Sequence, residues 1–226
     1  MDIHNVVCID EIQQIGEWAD SLTIQKRMRS VWQHQQHTSY CLFGSKKHLL
    51  ANLFQNRRMP FYHFGDTIFL KPISTNDWIP FICGKFAEKG KKISEELVCK
   101  ICTTVASHSS YVQQLAWNIM VNTETEVTDE IFQQSISELL AQCSPLFIQQ
   151  IQGLTTYQMN LIRCLCQGVR KDFTSKVVLE TYQLGSKSNI SRLKKTLVEK
   201  EIIEEEGDTI TLADPIFELW FKREYM

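Results

Sequence analysis

Short apolar runs alternate with helical patterns over the first 71 residues, and this alternation restricts the fold more than any other feature of the chain. The apolar runs lie at residues 5–10, 39–44 and 66–71, and each has the length of a strand buried on both faces. Helical apolar faces lie between them, at residues 23–36 and 45–55. Strands that alternate with helices build a parallel sheet covered by helices, so we predict an α/β unit with three strands.

After the third predicted strand, the strand patterns disappear and helical patterns follow one another. Four helices are predicted, at residues 76–88, 94–106, 109–121 and 128–142. Ser94 and Thr128 are suitable N-cap residues, because each precedes acidic residues in a first turn. Pro145 and Gly153 indicate that regular structure is interrupted before the last part of the chain. We interpret this stretch as an all-α, lid-like segment.

The last part of the chain has the pattern of a winged helix-turn-helix. Three helices are predicted at about 156–167, 174–183 and 187–200. Two short β-rich runs, residues 202–206 and 209–212, follow them and are joined by a Gly-Asp turn. A final helix is predicted from Pro215 to Lys222. Three helices followed by a hairpin are the plan of a winged-helix domain.

The composition is that of an ordinary globular protein, and it gives no overall attraction to nucleic acid. The formal net charge is −2, and 43% of the residues are hydrophobic. The first residues do not form a signal peptide, and no apolar stretch has the length of a membrane-spanning helix, so we expect a cytoplasmic protein. The eight cysteines are scattered, which favours buried thiols over disulfides.

The sequence from Val6 to Glu11 is an apolar strand that delivers two carboxylates at its end, which is the form of a Walker B motif. In P-loop enzymes such an aspartate orders Mg²⁺ at the phosphates, and such a glutamate activates water. Asp10 and Glu11 are the candidates for these two roles. A buried strand that ends in a solvated turn would give the same six residues.

A polar residue also follows the second predicted strand, where Gly44 and Ser45 end the run. A side chain at this strand tip is placed to sense the terminal phosphate or the attacking water, the role called sensor 1. Ser45 is equally suited to be the N-cap of the next helix. The sequence does not separate these two roles.

These motifs, in this order, resemble the prokaryotic AAA-like ATPases of the signal-transducing group, often called archaeal-type ATPases. The matching residues are Cys8-Ile9-Asp10-Glu11-Ile12-Gln13, Trp32, Cys41-Leu42-Phe43-Gly44-Ser45, Pro60-Phe61-Tyr62, Thr67-Ile68-Phe69-Leu70-Lys71-Pro72, Ser107-His108-Ser109-Ser110-Tyr111-Val112-Gln113-Gln114 and Asp214-Pro215-Ile216-Phe217-Glu218-Leu219-Trp220. The resemblance implies a partial parallel P-loop ATPase sheet at residues 1–73, a helical lid at 74–152 and a winged-helix domain at 153–226. It also implies ATP and Mg²⁺ as cofactors, with hydrolysis that drives a conformational switch.

The chain departs from this family in the part that holds the phosphates. It contains no G-x-x-x-x-G-K-[ST] loop, and nine residues before Asp10 leave no room for one. The family places the strand of that loop between the second and third strands predicted here, so the resemblance implies a gap in the sheet. We therefore expect this chain alone to be inactive as an ATPase, either as part of a longer protein or as a remnant. His63 stands where the family often has an arginine, although Arg57 and Arg58 are near.

The third helix of the predicted winged helix is basic and offers a function of a different class. Lys187, Arg192, Lys194 and Lys195 lie on it, opposite an apolar stripe. Such a helix could enter the major groove of DNA, with phosphate contacts added by Arg170 and Lys171. A solvated face in a domain that binds a protein partner would have the same composition, and the sequence leaves both alternatives open.

Overall fold

A computed structural model describes residues 4–226, apart from the side chains of residues 47 and 48. The chain forms two compact units, of which the first ends at Leu70 and the second begins at Lys71. The second unit includes both the lid-like helices and the winged helix, which share one hydrophobic core. The division into three domains stays a prediction.

The first unit is built around a pair of parallel strands. Strand β1, Asn5–Ile9, pairs with β2, Thr38–Leu42, and helix α1, Ser21–Trp32, connects them. A 3₁₀ helix, Ile12–Glu17, follows β1 directly, and α2, Lys47–Gln55, follows β2. The parallel pairing and the intervening helix confirm the predicted α/β beginning of the chain.

Aromatic packing fixes one face of this sheet. Trp32 at the end of α1 stacks on Tyr40 of β2 with ring centroids 4.3 Å apart, and on Phe61 at 5.6 Å. Phe61 is completely buried and also packs against Phe54 of α2. Stacked rings of this kind contribute about 0.5–1.5 kcal/mol per pair beyond their burial. The interaction therefore joins α1, β2, α2 and the segment after α2 into one layer.

The predicted third strand is wrong, because residues 66–71 have no regular secondary structure. Ile68 and Leu70 are 81% and 85% exposed. An isolated extended segment cannot satisfy its backbone N–H and C=O groups as a sheet does, and none of the described strands pairs with it. The prediction that β1 is buried on both faces is also wrong. The first four of its five residues are exposed, and Val6 is 66% exposed.

The second unit opens with helices in the predicted order. Their bounds are α3, Thr75–Glu88; α4, Glu95–Thr104; α5, Ser109–Asn122; and α6, Asp129–Ile151. Ser94 and Thr128 accept hydrogen bonds from backbone N–H groups of α4 and α6, so both predicted N-caps are confirmed.

Helix α6 continues through Pro145, and the predicted interruption at this residue is wrong. An interior proline costs a helical hydrogen bond and about 3 kcal/mol. The helix is held after the proline by burial of Phe147 and Ile151, and before it by a hydrogen bond from the Trp220 indole N–H to Ser144 Oγ, at 3.0 Å. Tertiary packing therefore overrides the local preference of the sequence.

The winged-helix plan predicted for the end of the chain is confirmed. Its elements are α7, Thr156–Cys166; α8, Lys176–Thr181; α9, Lys187–Glu199; β3, Ile203–Glu206; β4, Thr209–Leu212; and α10, Pro215–Tyr225. The antiparallel strands turn at Gly207, whose φ of +61° favours glycine. Within the described part of the chain, the helices are too short or too polar to cross a membrane. The cytoplasmic location stays a prediction.

Candidate site at the ends of two parallel strands

The two parallel strands deliver the predicted carboxylates and the predicted serine to one edge of the sheet. Asp10 and Glu11 follow β1, and Ser45 follows β2 after a short turn. Glu11 has left-handed backbone geometry, with φ of 49° and ψ of 39°, at the sharp turn into the 3₁₀ helix. Its N–H donates to Asp10 Oδ1 at 2.8 Å, which steadies this turn. Non-glycine residues in this conformation cost about 1–3 kcal/mol and concentrate at functional sites.

Two polar side chains hold the carboxylate of Glu11. The amide of Gln13 and the hydroxyl of Ser45 both donate to Glu11 Oε2, the latter at 3.3 Å. The hydrogen bond from Gln13, followed by those from Ser45, lowers the pKa of Glu11 below its ordinary value. A lowered carboxyl pKa means that Glu11 is ionised at neutral pH. The structure thus brings Glu11 and Ser45 together, as their order in the sequence predicted, while their catalytic roles stay predictions.

Gln13 is the member of this group to which sequence reasoning gave no role. Its side chain is 2% exposed, and its Oε1 has no hydrogen-bond partner among the described residues. It lies directly over Gly44, where an added Cβ atom would come within 1.9 Å of Gln13 Oε1. Gly44 therefore provides the space in which Gln13 reaches Glu11. The sequence shows only a polar residue two positions after Glu11, and its burial is apparent from the structure alone.

We expect Gly44→Ala to displace Gln13 and weaken its hydrogen bond to Glu11, because the new methyl group overlaps the amide. The pKa of Glu11 should rise toward its ordinary value, and unfolding free energy should fall by about 1–3 kcal/mol, as for other overpacked sites. Carboxyl ¹³C titration by NMR and urea denaturation measure the two effects. Gly84→Ala is the control: open space surrounds this glycine in α3, so the change should be neutral or stabilising. An unchanged Glu11 pKa in Gly44→Ala would show that Gln13 does not depend on this space.

A channel of about 750 Å³ runs along β2 on the side of α1. It is lined by residues of α1 and β2, by Gly44 and Ser45, and by residues 63–70. Among residues 4–226, β2 pairs with β1 alone, so its other edge has no strand partner. The gap that the family resemblance implies would lie between the second and third predicted strands, and because residues 66–71 form no strand, the structure has an open edge of β2 in its place.

The arginines near the channel have different environments. Arg29 of α1 donates to the carbonyl oxygens of Pro60 and Tyr62, the latter at 2.8 Å, and its guanidinium lies 5.8 Å from the centre of the Phe64 ring. Arg29 therefore fixes the segment after α2. Arg57 and Arg58 are exposed.

The basic residues of α9 fall into two groups. Lys187, Arg192 and Lys195 are exposed. Lys194 points inward, with its ammonium 3.8 Å from Glu205 of the hairpin and 5.2 Å from the centre of the Phe173 ring. Arg170 is also a structural residue, because it donates to the carbonyl oxygen of Leu165 and lies 3.8 Å from Glu218. Binding of nucleic acid by these residues stays a prediction.

Two segments that carry the family resemblance, residues 107–114 and 214–220, meet within the second unit. The Tyr111 hydroxyl of α5 donates to Asp214 Oδ2 at 2.5 Å, across 103 positions of the chain. Asp214 also caps α10, since its Oδ1 accepts from Ile216 and Phe217 N–H groups at 2.7 and 3.0 Å. Burial and the Asp214 carboxylate raise the pKa of Tyr111 above its ordinary value, so the hydroxyl keeps its proton at neutral pH.

These features define a class: the chain has a P-loop ATPase-like fold, in which a small parallel sheet and helices are followed by a C-terminal winged helix. A family model described as a probable winged helix domain matches residues 145–223. The fold is similar to that of a Walker-type ATPase of Pyrococcus abyssi, with a TM-score of 0.73, 14% identity, and coverage of 97% of this chain and 63% of that one. The chain thus spans less than two thirds of that ATPase.

Two further solved structures align less closely. The first is the Orc1 protein of Aeropyrum pernix in complex with DNA, with a TM-score of 0.49, 15% identity, and coverage of 97% of this chain and 64% of that one. The second is a RuvB variant of Thermotoga maritima, with a TM-score of 0.46, 12% identity, and coverage of 96% of this chain and 69% of that one. No curated protein matches the chain by sequence.

Proposed function

We propose that this chain is part of an ATP-dependent switch, in which Asp10, Glu11 and Ser45 lie at the phosphate end of the nucleotide, where the reaction takes place. In this proposal the first unit binds Mg²⁺, and the winged helix passes on the resulting conformational change. The observation that carries the proposal is the meeting of Glu11 and Ser45, 3.3 Å apart at the ends of neighbouring parallel strands, next to Asp10. Ligands of α/β proteins bind at the carboxyl ends of parallel strands. The P-loop ATPase-like fold supports the same assignment.

The described residues fit the part of such a site that binds the metal ion. Carboxylate and hydroxyl oxygens are the ligands that Mg²⁺ prefers, and Asp10 is exposed at the strand end, where it can bind a hydrated ion. Mg²⁺ would neutralise charge on the phosphates during transfer. Glu11, which its hydrogen bonds keep ionised, would accept a proton from water, and Ser45 would hold Glu11 in place.

The phosphate half of the site needs residues that this sequence does not contain. A phosphate loop follows a strand, and β2 has an unpaired edge along a channel of about 750 Å³. A strand that enters this channel parallel to β2 would bring its following loop to the same edge as Asp10. We therefore propose that the complete site forms when such a strand and loop pair with β2.

Calorimetry with MgATP tests the proposal on two proteins: this chain, and the chain extended at its N-terminus by a strand, a G-x-x-x-x-G-K-[ST] loop and a helix. We expect micromolar binding by the extended protein alone, because backbone N–H groups of the loop carry most of the phosphate contacts. In the extended protein, Asp10→Asn should weaken the dependence of binding on Mg²⁺. Micromolar binding by the chain as it stands would contradict the proposed division of the site, and binding by neither protein would refute the ATPase assignment.

A second candidate function is binding of duplex DNA through α9, and the exposed stripe of Lys187, Arg192 and Lys195 favours it. Exposed cations of a recognition helix supply phosphate contacts and base contacts in the major groove. The row of glutamates in β3 opposes this function, although Glu205 is paired with Lys194.

We expect Arg192→Glu combined with Lys195→Glu to raise the Kd for a labelled DNA duplex at least about tenfold and to reduce the salt dependence of binding, because the cations of two phosphate contacts are lost. Fluorescence anisotropy at several salt concentrations measures both effects. Lys85→Glu combined with Lys89→Glu is the control, since it makes the same change of charge on two exposed positions, one in α3 and one directly after it. Equal weakening by both pairs would assign binding to net charge alone, and absence of binding by the unaltered chain would exclude the function.

A further inference from the structure

The strand pairing places two cysteines side by side in the first unit. Cys8 of β1 and Cys41 of β2 are direct partners in the parallel register. Neighbouring strands lie about 4.7–4.9 Å apart, so the two Cα atoms are separated by about this distance. Both residues are free and exposed. Both thiols are therefore accessible to reagents in solution.

Both thiols project from the face of the sheet that α1 leaves uncovered. Residues in register on parallel strands point to the same side, and neighbours along a strand point to opposite sides. Tyr40, next to Cys41, faces α1 and stacks on Trp32 at 4.3 Å. Cys8 and Cys41 therefore face away from α1, together with Val6, which is 66% exposed.

The geometry of this pair suits a disulfide. Bridged cysteines have Cα atoms about 4.4–6.8 Å apart and Cβ atoms about 3.5–4.5 Å apart. The first condition is met by the register, and the second requires the two side chains to approach slightly. Among residues 4–226, β1 and β2 pair only with each other, so their outer edges are free to twist.

We propose that Cys8 and Cys41 form a two-thiol modification site that reacts with small-molecule disulfides such as oxidised glutathione. The thiolate of one cysteine attacks a sulfur of the reagent, a mixed disulfide forms, and one reduced glutathione leaves. The thiolate of the second cysteine then attacks the protein sulfur of the mixed disulfide and releases the second glutathione. Two protein thiols are oxidised, and one molecule of glutathione disulfide is reduced to two thiols.

The other cysteines are less suited to this reaction. Cys164 and Cys166 are buried, and burial raises the pKa of each thiol to about 12. Burial also raises the pKa of Cys102. Because the thiolate is the attacking species, these groups react slowly. The exposed pair on the sheet is therefore expected to react first.

The bridge would have a direct consequence for the candidate site. Cys8 lies two positions before Asp10, and Cys41 lies four positions before Ser45. A covalent link at this point would fix the two strand ends that carry Glu11 and Ser45. The site would then be held in one arrangement under oxidising conditions, whatever reaction it performs.

Peptide mapping provides a direct test, because trypsin separates the two cysteines. Residues 1–26 contain Cys8 alone, and residues 30–46 contain Cys41 alone. The folded chain is treated with oxidised glutathione and then digested without reduction. We expect a cross-linked species of these two peptides, a monomer on non-reducing gels, and a fall in free thiols, counted after denaturation, from eight to six.

Single variants identify the partners. Cys8→Ser and Cys41→Ser should each abolish the cross-link and leave a glutathione adduct on the remaining cysteine, whereas Cys99→Ser, on α4, should retain the cross-link. Circular dichroism checks that each variant is folded. Stable glutathione adducts on both cysteines without a cross-link, or a cross-link found only between two molecules, would overturn the proposal. The readout requires no ATPase activity, so it is independent of the proposed switch.

Discussion

Asp214→Ala is expected to lower the free energy of unfolding of the second unit by about 1.5–5 kcal/mol. The substitution removes the N-cap of α10, which accepts two backbone hydrogen bonds, and a lost cap costs about 0.5–2 kcal/mol. It also leaves the half-buried Tyr111 hydroxyl without its acceptor, which adds about 1–3 kcal/mol. Urea denaturation followed by circular dichroism measures the sum.

Two further variants separate these contributions. Tyr111→Phe removes the hydroxyl and leaves the Asp214 cap of α10 in place. Ser175→Ala measures the loss of a cap alone, because Ser175 caps α8 without a comparable tertiary hydrogen bond. We expect a double-mutant cycle between Asp214→Ala and Tyr111→Phe to give a coupling of about 0.5–3 kcal/mol. Additive effects of the two substitutions would show that the hydrogen bond between α5 and α10 contributes nothing to stability.

The dependence of stability on pH gives a second measure of the same bond. The folded state raises the pKa of Tyr111 above that of an unfolded tyrosine, about 10. The stabilisation is therefore complete below about pH 10 and is lost as pH rises above it, because the unfolded state releases the proton first. Tyr111→Phe should remove this part of the alkaline loss of stability. The hydrogen bond between Tyr111 and Asp214 also connects the lid-like helices to the winged helix.

Local patterns predicted most helices and the hairpin, because the signals lie within each segment. Ser94 and Thr128 cap helices where the sequence placed them, and Gly207 turns the hairpin. The predictions that were wrong concern segments whose conformation depends on contacts with residues far away in the sequence. Residues 66–71 have the composition of a strand, but none of the strands within residues 4–226 pairs with them, and Pro145 stays helical because Trp220 and Phe147 hold the turns around it.

The candidate site was predictable in its carboxylates but not in its supporting contacts. Asp10, Glu11 and Ser45 follow apolar runs, and parallel strands bring such ends together. No pattern in the sequence predicts that Gln13 is buried over Gly44 and donates to Glu11, because this contact depends on the turn into the 3₁₀ helix. A left-handed residue at Glu11 creates that turn, and sequence periodicity gives no sign of it.

Trp220→Ala is expected to lower the free energy of unfolding by about 3–5 kcal/mol, the range for aromatic residues removed from a core. Trp220 is 2% exposed and packs against both Phe147 and Phe217, with ring centroids 5.5 and 5.8 Å away. Its indole N–H also donates to Ser144 Oγ beside Pro145, so the substitution removes the contact that holds α6 on both sides of the proline.

Urea denaturation followed by far-ultraviolet circular dichroism measures this loss without relying on tryptophan fluorescence. Trp117→Ala is the matched control, because Trp117 of α5 is 62% exposed in the same unit and its removal should change stability by less than about 0.5 kcal/mol. The loss of unfolding free energy in Trp220→Phe should lie between the losses in Trp220→Ala and Trp117→Ala, since phenylalanine keeps an aromatic ring and loses the hydrogen bond. If Trp220→Ala and Trp117→Ala destabilise equally, then α6 does not need Trp220 to continue past Pro145, and the lid-like helices and the winged helix are joined through other residues of the shared core.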